Sequence, residues 1–188
     1  VFSVISSKTL PENLRLDAEY FQPKYLEFYG LIDNWDNLGD YIQPPINGDD
    51  IRKYDENGDT LYLRTGEFNL EGLHLDRVVK IHKPQDIKVN IKLRDVLFTR
   101  KGNYGKSAVV GNEIANAVIS SEIMLLRTRD NRLNPYYLTA FLNTRFGQIQ
   151  IERNIHGVSN FSITQDDVIR LKIKILPHIA KKVENLLA

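Results

Sequence analysis

A chain of 188 residues with 42% hydrophobic residues is long enough to bury one sizeable core. It contains no cysteine, which excludes disulfides and cysteine-ligated zinc and fits a reducing, cytoplasmic setting. A formal net charge of +1 excludes a generally basic, sticky protein, and the longest apolar runs are too short to cross a membrane. The start, Val-Phe-Ser-Val-Ile-Ser-Ser-Lys, is a poor signal peptide. Because it begins without methionine, a fragment of something larger is one expectation.

In chain order, residues 1–22 read as an extended arm. Pro23 suits a first helical position, and Tyr25, Phe28, Tyr29 and Ile32 at helical spacing predict an amphipathic helix over 23–34 whose aromatic stripe packs inward. Residues 38–42 predict a strand. A long loop with turn signals at Pro44-Pro45 and Asn47-Gly48 follows. Asn57-Gly58 enters a strand at 60–64, and 65–69 is a loop. Strands are expected at 75–81 and, from alternation, at 87–92.

Two apolar runs, 95–99 and 107–110, flank Arg100, Lys101, Gly102, Asn103, Tyr104, Gly105 and Lys106, which predicts a β-hairpin. Its tip fits either a turn dressed in solubilising charge or a surface for phosphates and base edges. Residues 117–127 predict one long buried strand with Ser120-Ser121-Glu122 set in it. Asn134-Pro135 caps a helix expected to reach about Arg153. A glycine-containing loop spans 154–160, and Thr164 with Asp167 caps a short helix. A strand at 172–176 and a terminal helix from Pro177 complete the chain. Short strands without regular strand–helix alternation predict an α+β fold.

Most catalytic motifs fail. Gly105-Lys106-Ser107 ends like a phosphate-binding loop, but Arg100 stands where that loop needs glycine, and a strand follows where it needs a helix. Asn134-Pro-Tyr-Tyr137 approaches an amino-methyltransferase signature but lacks its second proline, and no glycine-rich turn follows a strand. His74, His82, His156 and His178 have no metal-ligand spacing. Asp49-Asp50 and Asp166-Asp167 suit turn and helix-cap roles. No nucleophile elbow is present. Catalytic residues, metal and cofactor are therefore expected to be none.

Charge is unevenly spread. Acidic residues dominate up to Asp76, whereas residues 77–110 carry Arg77, Lys80, Lys83, Lys88, Lys92, Arg94, Arg100, Lys101 and Lys106 against only Asp86 and Asp95. That is either a positive face for nucleic acid or a lysine-protected sheet edge.

Several segments, in order, resemble a target recognition domain of the specificity (S) subunit of type I restriction-modification systems. They are Arg15-Leu-Asp-Ala-Glu-Tyr-Phe-Gln-Pro-Lys-Tyr25, Tyr62-Leu-Arg-Thr-Gly-Glu67 and Asp95-Val-Leu-Phe-Thr-Arg-Lys-Gly-Asn-Tyr-Gly-Lys106. Ser120-Ser-Glu-Ile, Pro135-Tyr-Tyr-Leu-Thr-Ala-Phe-Leu142, residues 157–164 and Ile173-Lys-Ile-Leu-Pro177 continue the series. The recognition domain of a fused DNA adenine methyltransferase is similar at the first segment.

The resemblance implies a twisted, partly barrel-like mixed β-sheet with packed helices. It divides the chain into an arm and helix (1–37), a recognition domain (38–176) and the start of a spacer helix (177–188). It implies a non-catalytic module that binds one half of a bipartite site in double-stranded DNA. Expected partners are a DNA methyltransferase (modification) subunit, a restriction/translocase subunit, and a second copy through spacer helices. The expected DNA contacts are Arg64 and Thr65; Arg100, Lys101, Asn103, Tyr104 and Lys106; and Asn154, His156, Ser159 and Asn160. A protein-interaction scaffold and an enzyme remain the competing classes.

Overall fold

The computed structural model describes residues 15, 17–157 and 159–187. Most of the expected arm lies outside them. Residues 17–21 form a turn closed by Tyr20 N–H to Asp17 O, with Tyr20 and Phe21 buried. The Arg15 guanidinium grips the Asp17 carboxylate (2.7 and 2.8 Å) and holds it below the usual carboxylate range.

Helix α1 (Pro23–Leu31) stops short of Asn34, because Ile32 leaves the helix to bury its side chain and Asp33-Asn34 are poor helix formers. Strand β1 (Asp36–Asn37) follows. The expected strand at 38–42 is instead a 3-10 turn, Leu38–Asp40, seated on the core by Leu38, with Gly39 packed against Ile169. Next come β2 (Ile46–Asn47), β3 (Thr60–Leu63), β4 (Val79–Ile81), β5 (Val96–Thr99) and β6 (Ser107–Val109). The chain continues with β7 (Val118–Ile119), β8 (Ile123–Leu126), α2 (Pro135–Asn143), α3 (Arg145–Asn154), α4 (Gln165–Ile169), β9 (Lys172–Ile173) and α5 (Pro177–Leu187).

The fold is α+β. Its strands form three small sheets, ordered β2-β8-β5-β6, β4-β3-β7 and β1-β9, and are not closed into a barrel. Strands β5 and β8 lie antiparallel at the centre of the largest sheet, with Leu97 opposite Leu125. Both are buried on two faces, which explains their unbroken apolar runs. Val96, Phe98, Met124 and Leu126 meet α2, α3 and α4 on one face. Leu97, Ile123 and Leu125 face Leu63, Phe68 and Ile119 on the other.

Residues 117–127 are therefore not one strand. The chain leaves β7 in one sheet, turns at Ser120–Glu122 with Ile123 N–H bonded to Ser120 O, and enters β8 in another. Residues 87–92 keep their alternation, burying Val89 and Ile91, but have no strand neighbour and form no ladder. Only 79–81 of the expected 75–81 strand pairs. The expected helix to Arg153 is two helices, broken at Thr144. Its hydroxyl donates to Phe141 O, and Gly147 lies so close to the Leu142 backbone that a side chain would clash. Asn134 caps α2, and Thr164 and Asp167 form a reciprocal box at α4, as expected.

Candidate nucleic-acid interface

The register of the four-stranded sheet decides which loops meet. Thr99 of β5 lies opposite Ile123 of β8, and Gly48 N–H bonds to Ile123 O beyond the end of β2. One end of the sheet therefore carries 48–50, 100–106 and 120–122. The other end carries 92–95, 110–111 and 127–128. A strand of four residues is about 13 Å long at 3.3 Å per residue. The basic run at 77–110 is thus divided: Lys92 and Arg94 lie at one end, while Arg100, Lys101 and Lys106 lie at the other.

The hairpin tip turns on Gly102 (φ +68°) and Gly105 (φ +79°), in the left-handed region that favours glycine. It is braced on three sides. The Asn103 amide donates to Thr65 O (3.1 Å) and Phe68 O (2.7 Å), joining the tip to the 3-10 turn Thr65–Glu67. Gln148 of α3 donates to Gly105 O (2.6 Å). Lys101 bridges Ser162, and Ile163 N–H bonds to Arg100 O (2.9 Å), joining the tip to the segment after α3. All three expected contact regions are in this way brought to one end of the sheet.

Their side chains differ in availability. Lys101 is half-buried, and Ser159 and Asn160 are exposed. Arg100 bonds Ser121 O through Nη1 (3.4 Å). Burial pushes the Lys106 amine below the usual lysine range, opposed by the charge of Glu152, and its Nζ lies 3.4 Å from Gln148 Oε1. Burial also raises the Tyr104 phenol. The Arg64 guanidinium is pulled down by burial, but the Glu67 carboxylate at 3.1 Å outweighs this and raises it; it also lies 5.5 Å above the Tyr54 ring.

Thr65 and Asn154 are buried, and Asn154 is the last residue of α3, not part of a loop. Its amide donates to Gln150 O and the Tyr29 hydroxyl. Asn103 spends its amide N–H groups on the turn. His156 Nε2 lies 2.8 Å from Asp167, whose carboxylate also accepts from Thr164 N–H. Asn103, Asn154 and His156 are therefore engaged within the protein, and the Thr65 side chain is buried.

Sequence reasoning missed other members. Ser120 and Ser121 stand at this end, signalled by the polar break in the apolar run at 117–127 and by the Ser-Ser-Glu-Ile segment of the resemblance. Among the described residues, the buried side-chain polar atoms without a hydrogen-bond partner are Asn47 Oδ1, Arg64 Nε, Arg100 Nε, Ser120 Oγ and Thr139 Oγ1. Arg100 and Ser120 belong to the hairpin end of the sheet, and Arg64 precedes the 3-10 turn bonded to Asn103. Buried polar groups are normally paired, and each left open costs about 1–3 kcal/mol.

Among the described residues, no three His, Cys, Asp or Glu side chains are grouped to hold a metal ion, and no helix is long and apolar enough to cross a membrane.

No protein-family profile matches the sequence, and no curated protein does. The architecture itself is a known one, shared with the S subunits of type I restriction-modification systems. The S subunit from M. genitalium superposes with a TM-score of 0.58 at 16% identity, over 80% of this chain and 37% of that one. The HsdS subunit from Thermoanaerobacter tengcongensis gives 0.57 at 22% identity, over 81% of this chain and 41% of that one. A chain from a study of assembly and conformational transition of the type I R-M system gives 0.58 at 18%, over 87% and 43%. The chain therefore spans about two fifths of the structures it matches. The resemblance read from the ordered sequence segments and the likeness in fold point to the same proteins.

Proposed function

We propose that this chain is a non-catalytic recognition module of a restriction-modification system that reads a site in double-stranded DNA. It directs an associated DNA adenine methyltransferase, and a restriction/translocase subunit, to that site in the cytoplasm. The observation that carries this reading is the convergence, at one end of the sheet, of Arg64, Arg100, Lys101 and Lys106 on segments braced to one another. Cations bring phosphates close and set register.

Arg100 and Lys101 act on phosphates or guanine edges, with Lys106 at the hairpin base and Arg64 at the rim. Tyr104, Ser159 and Asn160 lie alongside. Thr65, Asn103, Asn154 and His156 act from behind as supports. The same surface serves if the chain is part of a fused methyltransferase.

Selection from a randomised duplex pool, with and without a methyltransferase subunit, tests the reading. An enriched sequence bound with a steep salt dependence is expected. Arg100→Ala and Lys106→Ala should each flatten the slope of log affinity against log salt by about 0.9. Unchanged affinity and slope in both variants would remove the hairpin from the interface.

An interaction scaffold is the second reading. It is favoured by an apolar groove of about 390 Å³ lined by Trp35, Phe141, Phe146, Ile179 and Val183, between the α2–α3 elbow and α5. It predicts that a protein partner binds while no duplex is enriched.

A further inference from the structure

Phe161 is a large apolar side chain that stays 42% exposed beside the cationic hairpin tip. A single exposed aromatic needs no explanation, but this one is unusually constrained. The next residue, Ser162, exchanges both backbone hydrogen bonds with His156 (2.7 and 2.9 Å) and bridges Lys101 as well. Ile163, one residue further, is fully buried and bonded to Arg100 O. The backbone is therefore pinned immediately after Phe161.

The ring does not enter the core. It stands edge-on to Tyr104, with centroids 6.1 Å apart and planes at 67°. Tyr104 is itself half-buried and packs against the main core, so it backs the Phe161 ring without covering it. Ser159 and Asn160, just before it in the chain, are exposed, and Lys101 bridges Ser162 just after it.

We infer that Phe161 is an aromatic wedge, which enters between neighbouring base pairs while Lys101 and Arg100 hold the flanking phosphates. The inference rests on the DNA-recognition reading and deepens it. Apolar wedges open a base step at a stacking cost that wider contact repays, and they make affinity depend on how easily the step unstacks. Phe161 would in this way add sequence preference without a hydrogen bond to any base.

A single-indole protein tests this. Trp35 is the only tryptophan. Trp35→Phe combined with Phe161→Trp leaves one indole, at the wedge. It is titrated with the duplex enriched by the wild-type chain, and separately with heparin, which carries charge but no bases. Strong quenching by the duplex and none by heparin is expected. Phe161→Ala should bind the enriched duplex about tenfold more weakly, with an unchanged salt slope, since a stacked base contributes about 1–3 kcal/mol. Salt-dependent duplex binding without quenching, or equal quenching by heparin, overturns the wedge and leaves DNA recognition standing. Failure of the wild-type chain to enrich any duplex overturns DNA recognition itself, and the wedge with it.

Discussion

The two ends of the four-stranded sheet carry the same kinds of residue and use them in opposite ways. At the 92–95 end, the buried Asp95 carboxylate accepts from Arg127 Nε (2.7 Å) and Nη2 (2.6 Å) and from Lys92 N–H (2.7 Å). Arg127 also donates to Asn90 O, and Arg129 to Ile42 O. The hydrogen-bonded Asp95 carboxylate holds the Arg127 guanidinium above its ordinary range. At the hairpin end, the Arg100 guanidinium meets only the Ser121 carbonyl among the described residues. One end is an ion-paired lock; at the other, Arg100 and Lys101 have no ion-pair partner among the described residues. Charge along the sequence does not distinguish them, whereas ion pairing in the fold does.

The largest expected effect lies at the locked end. Asp95→Ala leaves Arg127 without its carboxylate, and breaking a buried pair from one side costs about 3–5 kcal/mol. Arg127 keeps 27% side-chain exposure, so a loss near the lower figure, about 3 kcal/mol, is expected in urea unfolding. The DNA salt slope of the folded protein should not move. A changed slope would show that this end touches DNA and would collapse the contrast.

Next comes Gly48, under the hairpin end. A Cβ there would overlap Ile119 O, a backbone atom that no rotamer change can move. Gly48→Ala should cost about 2 kcal/mol, as overpacking does. It should also displace 48–50 from Ser121, whose N–H bonds Asp49 O. Wild-type stability in this variant would mean that β2 can slide, and that the hairpin end is less fixed than its hydrogen bonds imply.

What could be read in advance follows the range of the interactions. Asn134-Pro135 and Thr164/Asp167 were legible because a cap is made within three residues. The hairpin was legible because its glycines and flanking runs are contiguous. Residues 117–127 were not, since Val118-Ile119 and Ile123–Leu126 are equally apolar and only tertiary pairing assigns them to different sheets. Residues 38–42 failed because Leu38 is buried by a turn as well as by a strand. At the site, the grouping of three distant loops was anticipated through the family resemblance. The burial of Thr65 and Asn154 and the engagement of Asn103 were not, because each depends on carbonyls or cores far along the chain. Asn103 looked like a base reader for the same reason that it makes a good clamp: its amide offers two donors.

Asn103→Ala separates these roles. Losing bonds to two carbonyls should lower stability by about 1 kcal/mol. DNA affinity should fall because the tip and the Arg64 turn are no longer held together, and the preferred sequence should stay the same. If the preferred base changes while stability does not, Asn103 reads DNA directly.

The smallest effect on stability gives the sharpest comparison. Lys92 and Lys101 lie at opposite ends of the same sheet, and among the described residues neither ammonium has a hydrogen-bond or ion-pair partner. Each →Ala change removes one positive charge, and each should shift stability by less than about 0.5 kcal/mol, as unpaired surface positions do. A general electrostatic attraction between the protein and DNA would make the two variants equivalent. A docked hairpin end would not: Lys101→Ala should flatten the salt slope by about 0.9, and Lys92→Ala should leave it unchanged. Measuring both slopes over one salt series, on one duplex, therefore tests where DNA sits without relying on any change in folding. Equal slopes would return the charge asymmetry at 77–110 to a solubilising role.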